Sequence, residues 1–246
     1  MTYCVGLILD RGLLFMSDTR TNAGVDNFSM TRKMFTFENP GERLITIMTA
    51  GNLATTQSVI SLLEERSKAP EDRSPSILKA PSMFQVARLV GSTLREVIEE
   101  AGTTGPVADS SFSATLMVGG QIAGSDPRLF LIYPEGNFIE AGEETPFFQI
   151  GETKYGKPIL VRTYDPKMDF NVAAKLLLVS FDSTVKSNLS VGLPFDLQIY
   201  ERDTLRRGKE VRIEQDDPVY QSISNGWGDA LRASFDTLPT YDILVD

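Results

Sequence analysis

Segments with strand character and segments with helical spacing fall into separate groups along this chain. Strand-like runs occupy the first part of the sequence as far as Gly51, and two helical segments follow them. The order then continues as strands, a helix, a strand pair and a last helix. This segregation favours an α+β fold with antiparallel sheets over an alternating parallel one. Because no repeat or linker interrupts the pattern, the sequence predicts one domain, with two sheets face to face and helices outside.

Three helix starts carry recognisable capping residues. Asn52 precedes one helical segment, and Ser82 with Gln85 forms a capping box for the next. Asp169 is a plausible cap for a helix across residues 170–186. Strands are predicted at 43–51, 112–120, 128–133 and 138–141, the last two as a hairpin; a second hairpin covers PFDLQIYER and KEVRIEQ, and a final helix covers roughly 217–235.

The first eighteen residues read as a β-hairpin, with strands at 2–9 and 12–17. A three-residue loop would pair Cys4 with Asp18 and place Asp18 on the same face as Thr2. A two-residue loop would turn Asp18 to the other face. The sequence is compatible with both registers, and in each of them Asp18 arrives beside the amino terminus.

Composition excludes several classes of function. With 24 basic and 33 acidic residues and a net charge of -9, the chain would be repelled by nucleic-acid phosphates. No apolar run is long enough to span a membrane, and the amino terminus lacks the features of a secretory signal. The single cysteine, Cys4, fits a reducing compartment. We therefore expect a cytoplasmic protein that binds neither nucleic acid nor membranes.

The chain contains no histidine. This absence removes catalytic arrangements of the Ser-His-Asp and Cys-His types, and it removes most zinc and non-haem iron sites, which depend on imidazole. A hydrolase built from this sequence would need a different base.

A threonine at the amino terminus could supply both nucleophile and base. Met1 is followed by Thr2, a small residue after which the initiator methionine is usually trimmed. A free α-amine titrates near neutral pH and can take the proton of the threonine hydroxyl. Lys33 could lower the pKa values of both groups, Asp18 could hold Lys33, and the N–H of Gly51 could receive the oxyanion. Retention of Met1 would turn the amine into an amide and leave an inactive form.

Several segments carry a family resemblance. The opening TYCVGLILDRGLLFMSDTRTNAG resembles that of proteasome β-type subunits, in which a D-x-R motif ends the second strand. Lys33 lies at the expected distance, and TAGNLATTQSVISLL resembles the family's strand-to-helix junction, with Gly51 at the oxyanion position and Gln57 retained. FFQIGETKYGKPIL and TVKSNLSVGLPFDL resemble later segments near the active site. The resemblance spans nearly the whole chain and is strongest to the bacterial Anbu, or ancestral β-subunit, group.

This resemblance implies an N-terminal-nucleophile hydrolase with a four-layer αββα sandwich. It implies threonine-type peptidase chemistry by Thr2, Asp18, Lys33 and Gly51, with no cofactor or metal. It also implies a homo-oligomer, either a ring or an open ring-like helix of many subunits, that acts on peptide or protein substrates. No ATPase partner is identified by these motifs.

The chain departs from the proteasome pattern at several positions. Glu152 replaces a serine beside the active site, and Ser187-Asn188 and Ser190 only loosely match the usual supporting aspartate and serine. Asn22 replaces a threonine that binds the substrate backbone. Thr49 and Leu53 flank Gly51 and could line a specificity pocket or simply pack, and Arg20 could support catalysis or form a surface salt bridge. These departures keep two alternatives open: a weakly active or inactive scaffold of the same fold, and a small-molecule amidase.

Overall fold

The computed structural model describes residues 1–22, 28–68, 75–103 and 112–241. The described residues form seventeen elements, in the predicted order except for a strand at Phe147–Gly151 and a short helix at Lys157–Thr163 that the sequence pattern does not assign. They are β1 Tyr3–Leu9, β2 Gly12–Asp18, β3 Arg20–Asn22, β4 Phe28–Met30, β5 Met34–Asn39, β6 Arg43–Gly51, α1 Leu53–Lys68, α2 Met83–Thr103, β7 Ala114–Ile122, β8 Arg128–Ile132, β9 Phe138–Glu140, β10 Phe147–Gly151, α3 Lys157–Thr163, α4 Phe170–Ser187, β11 Phe195–Glu201, β12 Glu210–Ile213 and α5 Pro218–Asp236.

Two five-stranded antiparallel sheets form the centre of the molecule. The first has the strand order β10-β1-β2-β11-β12, and the second has the order β5-β6-β7-β8-β9. Strands β3 and β4 form a separate antiparallel pair. All the described pairings are antiparallel, both in hairpins and between strands that helices separate along the chain. The predicted sheet class is therefore confirmed.

Three apolar clusters separate the layers. One lies between the second sheet and helices α1 and α2, and another lies between the first sheet and helices α3, α4 and α5. The third lies between the two sheets and includes Cys4, Phe15, Met48, Met117 and Tyr200. Alternation along the strands sends successive side chains to different clusters. The result is the expected αββα sandwich.

The predicted helix caps are present. The side chain of Asn52 accepts the N–H of Thr55 (3.0 Å), and Ser82 accepts the N–H of Gln85 (3.3 Å). Asp169 accepts two N–H groups at the start of α4. These bonds satisfy donors that a helix leaves unpaired in its first turn. The hairpins β8–β9 and β11–β12 are confirmed too, and α5 extends one residue beyond the predicted end of the last helix.

An apolar groove of about 410 Å³ opens in the outer helix layer, between α4 and α5. Trp227, the only tryptophan of the chain, lines this groove with Ile223 and Leu176. Trp227 is half-buried. Among the described helices, none is both long enough and apolar enough to cross a membrane.

Candidate active site

The strand ends bring the amino terminus to a cleft of about 460 Å³. Thr2 lies just before β1, Lys33 just before β5, and Gly51 at the end of β6. Because β1 and β6 belong to the two facing sheets, the sandwich places these ends together although they are far apart in sequence. The cleft is lined by Met1, Thr2, Thr21, Lys33, Thr49, Ala50, Gly51, Asn52, Leu53, Thr56 and Gly151.

The opening hairpin adopts the register with the two-residue loop. Leu9 pairs with Gly12 and Cys4 pairs with Ser17, so that Asp18 lies opposite Tyr3 rather than Cys4. Asp18 nevertheless reaches Lys33, because its carboxylate lies beyond the last ladder pair of β1 and β2. There Oδ1 accepts the backbone N–H of Tyr3 (3.0 Å), a group that points along the plane of the sheet.

Asp18 and Lys33 form a buried ion pair. Lys33 Nζ donates to Asp18 Oδ1 (2.7 Å) and to the carbonyl oxygen of Arg20 (2.6 Å). Asp18 is 0% exposed and Lys33 is 5% exposed. Gly192 N–H donates to the other carboxylate oxygen (3.3 Å). Lys33 has three N–H donors. Within the described part of the chain, these two acceptors engage two of them and hold the ammonium at the cleft.

Burial and charge shift the pKa values at this site. Burial raises the pKa of Asp18, while the Lys33 ammonium and the N–H groups of Tyr3 and Gly192 act in the opposite direction. Burial also lowers the pKa of the Met1 amine, and Lys33 lowers it further, against the opposing effect of Asp18. Burial and the positive charge of Lys33 thus both lower the pKa of the amine at the amino terminus.

Gly51 presents its backbone N–H to the cleft. The N–H of Thr49 donates across the sheet to the carbonyl oxygen of Lys33 (2.9 Å). Strand N–H groups alternate in direction, so the N–H of Gly51, two residues on, points to the same side but beyond the start of β5. Gly51 has φ of +110°, and a Cβ atom there would overlap the backbone of Ser113. Only glycine fits this position without strain.

Thr2 rests on the backbone that follows β10. The N–H of Glu152 donates to the carbonyl oxygen of Thr2 (2.6 Å). Gly151 has φ of +84°, and a Cβ atom on it would overlap that same carbonyl. Thr2 itself is 8% exposed. Only a glycine at position 151 lets this backbone approach the carbonyl of Thr2, the candidate nucleophile, so closely.

The turn between α4 and β11 closes the other side of the site. Arg20 Nη1 donates to the carbonyl oxygen of Leu189 (3.0 Å), and its guanidinium packs where a side chain on Gly192 would lie. Asn188 Nδ2 donates to Glu152 Oε2 (3.0 Å) and lies 3.9 Å from Met1 Sδ. The side chain of Arg20 thus contacts this turn, and the backbone carbonyl of Arg20 accepts a hydrogen bond from Lys33. Arg20 therefore supports the positions of both the turn and Lys33.

The remaining predicted site residues are placed as follows. Thr49 and Leu53 line the cleft, as a specificity pocket requires. Asn22 ends β3, where its backbone pairs with Phe28; its side chain lies outside the described part of the structure. Ser187 is exposed and donates to the carbonyl of Ser183 in its own helix (2.9 Å), and Ser190 donates its N–H to Asn188 Oδ1 (3.0 Å). The structure does not bring the Ser187 hydroxyl to the cleft.

Sequence reasoning missed the structural importance of Gly151 and Gly192, and it identified Asn188 only as a loose match to a supporting residue. Each lies in a segment that carries the family resemblance, and that was the available signal. Their contacts join Thr2, Asp18 and Glu152 to residues far away in the sequence. Among the residues that the structure describes, no group of three or more His, Cys, Asp or Glu side chains could hold a metal ion.

Comparison with solved structures shows full-length similarity to one group of proteins. The chain resembles Anbu (ancestral beta-subunit) from Yersinia bercovieri at 47% identity, with a TM-score of 0.91 over 98% of this chain and 100% of that one. Anbu from Hyphomicrobium sp. strain MC1 is 49% identical, with a TM-score of 0.88 over 98% and 100%. The helical assembly of the Anbu complex from Pseudomonas aeruginosa contains a chain 46% identical, with a TM-score of 0.90 over 98% and 99%. No protein-family model and no curated protein matches the chain.

Proposed function

Because the chain belongs to the Anbu group of proteasome-like proteins, we propose that it is a threonine-type N-terminal-nucleophile hydrolase that cleaves peptide bonds. The observation that carries the proposal is the buried ion pair of Lys33 with Asp18, at a cleft that Thr2 and Gly51 also line. A buried ammonium is costly unless its partners are well placed. Its position beside a hydroxyl and the chain terminus is what nucleophile activation needs.

In the proposed reaction, removal of Met1 first frees the α-amine of Thr2. The Thr2 Oγ–H bond then breaks as Oγ attacks the substrate carbonyl carbon, and the proton passes to the amine. Lys33 stabilises the developing negative charge, and the N–H of Gly51 donates to the oxyanion. Collapse expels the amine half of the substrate, which takes the proton from the Thr2 ammonium. Water then attacks the acyl-enzyme ester and gives a proton to the Thr2 amine. That proton passes to Thr2 Oγ as the ester bond breaks, which releases the acid half and restores the hydroxyl.

The cleft lining supports a neutral side chain at the cleaved position. Thr49, Leu53 and Thr56 line the cleft, and Lys33 is the charged residue among the lining side chains of the described chain. We assign Thr49 and Leu53 to the specificity pocket and Asn22 to the substrate backbone. The proposed substrate is therefore a peptide or protein with a small or medium-sized neutral residue before the cleaved bond, and the proposed compartment is the cytoplasm.

The test compares two forms of the same chain. One begins at Thr2, produced by cleaving a removable amino-terminal tag, and the other retains Met1, with both verified by intact mass. We expect a threonine-directed covalent probe to label the first at Thr2 and to leave the second unlabelled, because an acylated nitrogen cannot act as base. Cleavage of a fluorogenic peptide library should follow the same pattern. Equal labelling of both forms, or of neither, would contradict the proposal; absence of any adduct would favour a scaffold.

We also propose that several copies of the chain assemble. The relative from Pseudomonas aeruginosa forms a helical assembly, and helices α3, α4 and α5 of this chain carry many exposed apolar side chains. Exposed apolar side chains grouped in one layer of a fold favour contact with another chain. The residues are Val161, Val172, Val219, Leu231 and Phe235.

Sedimentation measures this assembly directly. We expect particles several times heavier than the 27.2 kDa chain. Leu231 and Phe235 are 51% and 74% exposed and lie four residues apart on one face of α5, so Leu231→Asp with Phe235→Asp should shift the distribution towards single chains. The control is Ile139→Asp, which alters an exposed apolar residue of β9. Strand β9 belongs to the second sheet, whereas α5 packs on the first. A wild-type chain that sediments as a monomer would overturn the assembly proposal.

A further inference from the structure

Glu152 carries a buried carboxylate, and its backbone contacts Thr2. It is 8% exposed, and its own N–H donates to the carbonyl of Thr2. Oε2 accepts from Asn188 Nδ2 (3.0 Å), and Oε1 accepts the backbone N–H of Lys154 (2.8 Å). Within the described ranges, neither carboxylate oxygen pairs with a lysine or arginine side chain. A buried carboxylate without a cationic partner is expensive to keep.

The Glu152–Asn188 pair reaches the residue whose removal creates the free amine. Asn188 Nδ2 lies 3.9 Å from Met1 Sδ, while the backbone N–H of Glu152 donates to the carbonyl of Thr2. The peptide nitrogen of Thr2 lies between these two contact points along the chain. The pair therefore borders the place where the α-amine forms when Met1 is removed.

We propose that Glu152, held in place by Asn188, positions the free amine of Thr2 and serves as the counter-charge when that amine is protonated. The proposal rests on the proposed hydrolase function, in which the amine takes up the hydroxyl proton and becomes an ammonium. Glu152 is a positioning residue in this scheme, since it touches neither substrate nor the reacting hydroxyl.

The charges around the terminus favour a further negative group. Lys33, before β5, faces the terminus with a positive charge, and Asp18, at the end of β2, is already bound to Lys33. Glu152, after β10, supplies the other negative charge, and Asn188, between α4 and β11, is neutral. The Arg20 guanidinium is turned to the carbonyl of Leu189. At the Met1 amine the lowering effect of Lys33 on the pKa exceeds the raising effect of Asp18. An ammonium formed at Thr2 would therefore be only partly compensated by Asp18, and Glu152 can supply the remaining negative charge.

The experiment titrates the Thr2 amine directly. Chains that begin at Thr2 are prepared as wild type and as Glu152→Gln, and the rate of reductive methylation of the amine is followed by mass spectrometry across pH. Loss of the carboxylate should lower the amine pKa by about one unit, a tenfold change in the ratio of amine to ammonium. Where turnover is measurable, the acidic limb of kcat/KM should move to lower pH by the same amount.

Two further variants keep the result interpretable. Glu135→Gln removes an exposed carboxylate far from the site and should leave the amine pKa unchanged. Glu152→Asp keeps the charge and should give a value close to wild type, and it replaces Glu152→Gln if that variant does not fold. An unchanged amine pKa in Glu152→Gln, or a full-sized shift in Glu152→Asp, would overturn the proposal. Because methylation needs no catalysis, a shifted pKa without probe labelling would refute the hydrolase function alone.

Discussion

Replacing Thr2 by alanine in the mature chain is expected to abolish covalent probe labelling and to lower peptide turnover by on the order of 10³-fold or more. The alanine chain keeps a free terminal amine beside Lys33 but has no hydroxyl to attack a carbonyl. Because alanine is also small, removal of Met1 should proceed as in the wild type. The comparison therefore changes the nucleophile and leaves processing intact.

The matched control is Thr2→Ser, which keeps a hydroxyl on the same atom and should retain measurable labelling and turnover. Intact mass establishes that each chain begins at residue 2, and thermal unfolding establishes that each is folded. Thr2 is nearly buried, so both variants also report any loss of packing. Full turnover by Thr2→Ala would show that another residue carries the chemistry.

The second large effect is expected for Lys33→Met, in both stability and activity. Lys33 is the ionic partner of a carboxylate that is 0% exposed. Removing the ammonium leaves Asp18 buried without its counter-charge, which should cost about 3–5 kcal/mol in the free energy of unfolding at neutral pH. Turnover should fall by on the order of 10²-fold or more, because the developing oxygen charge loses its nearest cation.

The stability loss in Lys33→Met should depend on pH in a defined direction. Burial already raises the pKa of Asp18 in the folded chain, and Lys33 is the leading opposing influence. Without Lys33 the folded pKa rises further above the unfolded value of about 3.9. Below that value the carboxyl is protonated in both states and the ionic part of the loss vanishes. As the pH rises through the folded pKa, that part of the loss grows to its full size.

Denaturant unfolding of wild type and Lys33→Met at acidic and neutral pH measures this dependence. A smaller loss that is independent of pH should remain, since the hydrogen bond to the carbonyl of Arg20 is also removed. The double variant Lys33→Met with Asp18→Asn eliminates both charges and should recover much of the stability at neutral pH without recovering turnover. A deficit of equal size at both pH values would contradict the buried ion pair.

Local patterns were sufficient to predict most of the fold. The caps at Asn52, Ser82 and Asp169 each depend on residues within three positions along the chain, and all three are present. The α+β class and the two antiparallel sheets followed from the grouping of strands and helices. The short helix α3 and strand β10 were not assigned, because segments of seven and five residues are too short to show a clear period. Strand β10 owes its place at the sheet edge to pairing with β1.

The site was only partly predictable, because its contacts link residues far apart in sequence. Thr2, Lys33 and Gly51 could be proposed from family motifs, and the structure places all three at one cleft. The hairpin register was open in the sequence, since the loop residues permit either turn. The bonds of Asp18 to Gly192 and of Glu152 to Asn188 arise from the docking of the α4–β11 turn. No local pattern encodes that docking.

Asp18 receives its three donors from Tyr3, Lys33 and Gly192, which are made at very different times during synthesis. The emerging polypeptide already carries the threonine, the aspartate and the lysine when it is only a few dozen residues long. The carboxylate that anchors the lysine is complete only after the ribosome has passed position 192 and the sandwich has closed. The proposed peptidase activity is therefore tied to the finished domain, and an incomplete chain that ends before residue 192 lacks one of the three donors that hold Asp18.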